Sequence, residues 1–289
     1  MKFTKPFALL LPIICVLTMN SFAQTSSGKL LLTKGQKIQI DNDIKSVINQ
    51  EMMGQTVEIT IDANTIHKLE VKDKKSTSYL VSSTLTKLST NGSAMGQELK
   101  FDSDKKEDME SETGKALKDQ LNVSKDVELS EGAKVINGVK KDTNATGGGG
   151  QMLAMINNIT GAENDDSNGA NAAFDVIPAG KKVGDTWSDS SITEEIKTYR
   201  NYSFKEVNGK NATILLTGKQ IVKKKVEMQG MEVNVSSEGK LSGEGVVDMS
   251  TGLVKQKTTV LDATSVTEVM GQSIPGTSKV TTITTVKTI

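Results

Sequence analysis

Residues 57–71 read VEITIDANTIHKLEV, with Val57, Ile59, Ile61, Leu69 and Val71 all at odd positions and mostly polar residues between them. An apolar residue at every second position is the period of a strand, whose successive side chains point to opposite faces. The β-branched Val and Ile suit a pleated, half-buried surface. The same alternation runs through 37–50, 76–88, 186–207, 211–226, 231–247, 253–269 and 279–288. Several of these runs exceed an ordinary strand, which predicts long twisted strands with bulges. The expected fold is mainly β: two related antiparallel meander sheets of long curved strands, half-barrel or sandwich-like, with short helices in the connector.

The punctuation of these runs repeats. Met53-Gly54-Gln55, Met95-Gly96-Gln97 and Met270-Gly271-Gln272 are the same tripeptide, and Gln229-Gly230-Met231 is a close variant. Each lies between alternating segments, where Gly supplies the positive φ of a tight turn. Met52, Met53, Met95, Met228, Met231 and Met270 therefore cluster at turns, where they could cap a core or meet a soft apolar ligand. Val71–Leu80 aligns with Val207–Leu216, Gly96-Gln97-Glu98 with Gly230-Met231-Glu232, and Lys34-Gly35-Gln36-Lys37 with Val183-Gly184-Asp185-Thr186. Three blocks in the same order predict an internal duplication.

The division expected from these patterns is a signal segment over 1–23, a β module over 24–109, a connector over 110–177 and a second β module over 178–289. Lys2 and Lys5 precede the apolar run from Phe7 to Met19, and Ser21 and Ala23 hold the −3 and −1 positions of a cleavage site before Gln24. Acylation at Cys15 is disfavoured, because bulky Ile14 precedes it and the apolar run continues beyond it. Cleavage would leave an exported chain, periplasmic or secreted, with no cysteine and hence no disulfide. No transmembrane segment is expected after cleavage. Within the connector, 110–121 reads as a short helix, 127–139 as a hairpin turning near Ser130-Glu131-Gly132, and 152–159 as a second short helix; 144–150 and 164–171 read as flexible.

Composition excludes much chemistry. Lys plus Arg and Asp plus Glu are equal at 35 each, which disfavours a nucleic-acid partner. One histidine and one cysteine leave no material for a zinc site or for Ser-His-Asp or Cys-His machinery. Aromatic residues make up 3% of the chain, poor material for the cleft of a glycosidase. Gly147–Gly150 lacks the Lys-Ser/Thr of a phosphate loop. No catalytic residue and no cofactor is assigned, and the chain is expected not to be an enzyme.

Among single residues, His67 shares the parity of the apolar positions; it could be a pH-sensitive group, but the favoured reading is a hydrogen-bonded or solvated histidine near a strand end. Trp187 is expected to anchor the core where the connector meets the second module. Asp102–Glu112 reads as a solvated loop entering a helix. The one candidate metal site is a calcium loop with donors Asn164, Asp166, Asn168 and Asp175 and Gly169 at the sixth position. Asn at position 1, Asp in place of Glu at position 12 and the following Pro178 favour an acidic, Asn/Gly-rich linker instead.

Leu32-Thr33-Lys34-Gly35-Gln36-Lys37, the Met-Gly-Gln turn, Phe101-Asp102-Ser103, Val183-Gly184-Asp185-Thr186-Trp187 and Asp248-Met249-Ser250-Thr251-Gly252-Leu253 together resemble an uncharacterised domain-of-unknown-function family of exported proteins common in Bacteroidetes. The resemblance implies compartment and architecture and carries no catalytic residue. The role expected is binding or scaffolding in the cell envelope, through an envelope protein partner. The alternative is a carrier that holds a lipid or other apolar ligand in the concave face of a curved sheet.

Overall fold

A computed structural model describes residues 26–52, 54–94, 97–118, 120–138, 167, 169–228 and 231–289. The chain is mainly β, as the alternation requires. The strands are β1 (Lys37–Met52), β2 (Gln55–Lys74), β3 (Ser78–Ala94), β4 (Gln97–Asp102), β5 (Ser124–Ser130), β6 (Val135–Asn137), β7 (Thr186–Ile192), β8 (Ile196–Asn208), β9 (Asn211–Met228), β10 (Met231–Asp248), β11 (Val254–Val269) and β12 (Gln272–Thr288). Two short helices, α1 (Lys106–Glu110) and α2 (Glu112–Leu117), follow β4. The single run expected over 186–207 is interrupted by a turn at Glu194-Glu195, and the last strand begins earlier than expected, at Gln272.

The two meanders are joined edge to edge. β1 pairs with β12 from Ile38↔Thr288 to Gln50↔Gly276, giving one antiparallel sheet in the order β6-β5-β3-β2-β1-β12-β11-β10-β9-β8-β7, with β4 beside β3. The sheet is curled. Leu30 N–H donates to Glu131 O (2.6 Å), just past β5, and Ser27 N–H donates to Met249 O (3.4 Å), just past β10. Three residues span at most about 10 Å. In a flat sheet, β5 and β10 would be six strand intervals apart, about 29 Å. Only a strongly curved sheet brings both within reach of one short segment.

Six glycines account for part of that curvature. Gly92, Gly218, Gly239, Gly243, Gly245 and Gly276 all have the inward parity of their strands. A Cβ on Gly92 would lie 2.2 Å from Thr60 O, and one on Gly218 would lie 2.2 Å from Tyr199 O, both on neighbouring strands. The inner side is compressed along these lines, and only glycine lets adjacent backbones close up.

One arrangement occurs twice. Gly35 (φ +83) donates to Val71 O at 2.8 Å, Val71 N–H donates to Gln36 O, and the β2–β3 register slips between Val71 and Asp73. Gly184 (φ +93) donates to Phe204 O at 2.8 Å, Phe204 N–H donates to Asp185 O, and the β8–β9 register slips between Phe204 and Glu206. Val71 thus corresponds to Phe204, and Val81, its β3 partner, to Ile214. The text alignment instead set Val71 against Val207, three residues on, an odd offset that exchanges the faces. Tyr79 and Val81 share the buried face, but their counterparts are Ala212 and Ile214, while Leu215 is only half-buried and Thr77 precedes the strand.

The main core lies at one end of the curled sheet. Ile38, Ile40, Leu69, Val71, Tyr79 and Val81 on one half join Phe204, Ile214, Val247 and Val254 on the other. Leu30 and Leu32 from the segment before β1, and Phe174 and Ile177 from a strap after a 3₁₀ turn (Ala170–Ala173), fill the space between them. A second cluster of Leu88, Phe101, Leu117 and Leu121 seats the helices against β3 and β4. A third, Ile44, Ala63 and Val280, lies at mid-sheet.

Candidate functional site

The strand register assigns every side chain to one of two faces, and the two faces differ in chemistry. On the outer face, Lys45, Asp62, Lys219, Lys240, Asp262 and Lys279 stand exposed at mid-strand. Such charges would occupy the middle of a bilayer if this sheet faced lipid, where each is costly. Among the described residues, no helix is long and apolar enough to cross a membrane. The inner face interleaves aliphatic side chains with small polar ones, such as Ser46, Thr65, Ser83, Thr282 and Thr284.

At the plugged end this face also carries polar groups. The strap residue Asp175 accepts from Lys257 on β11 (2.8 Å), and its N–H donates to Gly252 O. On the edge strands, Arg200 pairs with Asp189 (3.3 Å), and the Tyr202 hydroxyl donates to the same carboxylate (3.4 Å). Trp187 stacks on Tyr202 with ring centroids 5.4 Å apart. Burial, reinforced by the charges of Asp175 and Asp189, pushes the Tyr202 phenol far above its ordinary value. These contacts tie the strap and the edge hairpin to the sheet, and Trp187 sits against the main core as expected.

His67 departs from expectation. It lies within β2, opposite Ile40, and its Nδ1 is buried with no hydrogen-bond partner among the described residues. Gly169, at φ +81, lies flat on the ring; a Cβ there would be 2.8 Å from Nε2. Burial alone lowers the imidazole pKa to about 4. Strand parity pointed His67 inward; what covers it comes from a segment about a hundred residues away.

Of the calcium-loop candidates, Asn164, Asp166 and Asn168 lie outside the described residues. Asp175, the fourth, is engaged by Lys257, and no group of three metal-ligating side chains forms among the described residues. Asp102–Glu112 runs from the end of β4 through a short turn and all of α1 to the start of α2, so most of the segment expected as a loop is helix: Asp108 accepts from Asp102 N–H (2.7 Å), and Asp104 pairs with Lys87.

Beyond the core the inner face carries both aliphatic and polar residues, the polar ones including Gln50, Ser237, Ser265 and Ser278. Ile48 on β1, Val57 and Ile59 on β2, Val235 on β10, Val269 on β11 and Ile274 on β12 continue the inward rows towards the open end. All are half-buried, and none belongs to the three core clusters among the described residues. The hollows of about 830 and 270 Å³ lie elsewhere, mainly on the outer face of β9, β10 and β11. Their walls mix Glu194, Lys223, Ser236 and Glu238 with Ile221, Val222 and Val266, and they are open grooves. The inward glycines that shape this trough were legible as strand-interior glycines of apolar parity; the sequence reading took glycine only as a turn signal.

Among solved structures, the chain is similar to lipovitellin, in a structure titled for its lipid–protein interactions, at 12% identity and a TM-score of 0.49 over 89% of this chain. It spans about a quarter (26%) of that chain's length. It is also similar to an outer membrane channel from Pseudomonas putida F1 (8% identity, TM-score 0.25, covering 90% of this chain and 98% of that one). At these scores the fold rests on this chain's own strand pairing. No curated protein matches. The model of the Family of unknown function (DUF6263) matches residues 76–254, from the β2–β3 turn to the start of β11, and the chain belongs to that family.

Proposed function

We propose that this chain is an exported, non-enzymatic envelope protein that holds an elongated apolar molecule of the lipid class along the inner face of its curled sheet. The observation that carries the reading is the set of half-buried inward aliphatic residues, Ile48, Ile59, Val235 and Ile274, that continues past the core towards the open end. A sheet end that met only water would be expected to alternate into polar residues on both faces. Aliphatic side chains interleaved with short hydroxyls such as Ser237 and Ser265 take a hydrocarbon without demanding hydrogen bonds from it. The N-terminal segment, with its basic start and small residues before Gln24, supports export.

A scaffold reading has an observation of its own. At mid-sheet, Ile44, Ile61, Ala263 and Val280 are buried, as in an interior that is packed and not hollow. Native mass spectrometry and lipid extraction of protein purified from its own host separate the two. The carrier reading expects a bound apolar mass that is lost in a Val235→Glu variant that still folds. Protein that arrives with no adduct, and that fails to take up an apolar fluorescent probe, would leave the scaffold reading.

A further inference from the structure

The chain has a single arginine and a single tryptophan, and the edge hairpin β7–β8 sets both on the inner face. Trp187 lies opposite Tyr202, and Asp189 opposite Arg200. Tyr202 and Arg200 pair in turn with Leu216 and Gly218 on β9, which have the inward parity of that strand. Every other basic position in the chain is lysine. Lysine offers a compact point charge, whereas the guanidinium is a planar fork of donors that meets a phosphate with two parallel bonds.

The charged pair is loosely made. Arg200 donates to Asp189 through Nη1 at 3.3 Å, longer than the roughly 2.7–2.9 Å of a tight charge-assisted bond. The Tyr202 hydroxyl reaches the other carboxylate oxygen at 3.4 Å. The guanidinium has no second acceptor among the described residues. Both side chains keep contact with solvent, 30% of Arg200 and 37% of Asp189 being exposed. A pair in that setting adds little to stability and can exchange partners.

The surroundings divide by row. On the plugged side, the Trp187–Tyr202 stack makes a rigid wall. On the other side, Ile196, Val222 and Val235 are half-buried and run towards the open end. Beside the guanidinium, Gly218 puts no side chain between Arg200 and Leu241 of β10. β7 is the last strand of the sheet among the described residues, so the pair stands at its margin. A charged group held there stays hydrated on one side, while anything attached to it lies on the inner face.

We propose that Arg200 and Asp189 are the headgroup subsite for a zwitterionic phospholipid, whose phosphate takes the guanidinium fork, whose ammonium meets Asp189, and whose chains follow Ile196, Val222 and Val235. The subsite rests on the carrier reading and gives its ligand a class. Charge balance decides between headgroups. An anionic headgroup would pair with Arg200 but face the carboxylate of Asp189, and a cationic one would meet the reverse. A headgroup bearing both signs leaves neither charge unpaired when the lipid covers the site.

The test is isothermal titration calorimetry of the full chain with dioctanoyl phosphatidylcholine, dioctanoyl phosphatidylglycerol and glycerophosphocholine, the two lipids below their micellar concentrations. Phosphatidylcholine should bind about tenfold more tightly than phosphatidylglycerol, the effect of one charge-assisted contact. Glycerophosphocholine, which has the headgroup without chains, should bind at least about a hundredfold more weakly. Arg200→Gln should lower the affinity for phosphatidylcholine about tenfold. Asp189→Asn keeps an acceptor for Arg200 but removes the negative charge, so it should abolish or reverse the preference between the lipids. Should one variant fail to fold, the other variant and the ratio of the two lipids on wild type still decide. Val235→Glu, placed among the chains, should weaken both lipids alike. Equal wild-type affinity for the two lipids, or a preference unchanged in Asp189→Asn, would overturn the subsite and leave the carrier reading standing. Glycerophosphocholine binding as tightly as the lipid, or wild type that takes up neither lipid, would overturn both.

Discussion

The imidazole of His67, on β2, lies directly beneath Gly169, the residue before the 3₁₀ turn of the strap, so close that a Cβ on Gly169 would come within 2.8 Å of Nε2. The contact joins a strand of the first half to the strap that closes the core. It also covers Nδ1, which has no hydrogen-bond partner among the described residues.

Acid should therefore loosen this protein through His67. Its folded pKa is about 4 and its ordinary value 6.5, so the unfolded chain binds the proton more readily. The stability associated with the neutral ring is present above pH 6.5 and is lost as pH falls towards 4. The loss should reach about 3 kcal/mol below that range. Denaturant unfolding from pH 7 to pH 3.5 measures it, and His67→Leu should flatten the curve in that window. A wild-type curve no steeper than that of the variant would contradict the burial of the ring.

Gly169→Ala should be among the most damaging single-methyl changes in the chain. It adds strain at φ +81 and drives a methyl group into the ring of His67. A loss of about 2 kcal/mol or more is expected, with partial recovery in Gly169→Ala/His67→Ala, where the ring is gone and only the backbone strain remains. Thermal melts of the two variants test the coupling.

Tyr79 should matter through its hydroxyl as well as its ring. It is fully buried and donates to Leu30 O at 2.9 Å, holding the segment before β1 in the core. Tyr79→Phe keeps the ring but leaves that carbonyl without its donor, which should cost about 1–2 kcal/mol. Hydrogen exchange should show the amide of Leu30 losing protection more than those of β3.

Curvature should respond to glycine substitution on the inner face. Gly218→Ala places a methyl group against Tyr199 O, whereas Gly209→Ala, at an open turn with nothing within 4 Å, meets only its φ of +57. The first should weaken the pairing of β8 with β9 and destabilise by about 2 kcal/mol, and the second by about 1 kcal/mol. Equal effects would show that the close approach at Gly218 does not shape the sheet.

What the sequence by itself determined is local. Alternation through 57–71 and its counterparts gave the strands, their inward parity and the antiparallel class, because side-chain direction in a strand depends only on position along the chain. The positive φ of Gly54 and Gly271 followed from the turns their Met-Gly pairs were read to form. What only the tertiary structure decided is what lies opposite what. That β1 and β12 join the two meanders into one sheet, that Gly169 covers His67, that Asp175 pairs with Lys257 and that Val71 corresponds to Phe204 all depend on register and on contacts between distant residues. A bulge of one residue, as after Val71 and again after Phe204, shifts every later partner without altering the alternation before it. Strand periodicity therefore exposes the faces of this protein, while curvature and long-range pairing, which have no period in the sequence, decide what those faces enclose.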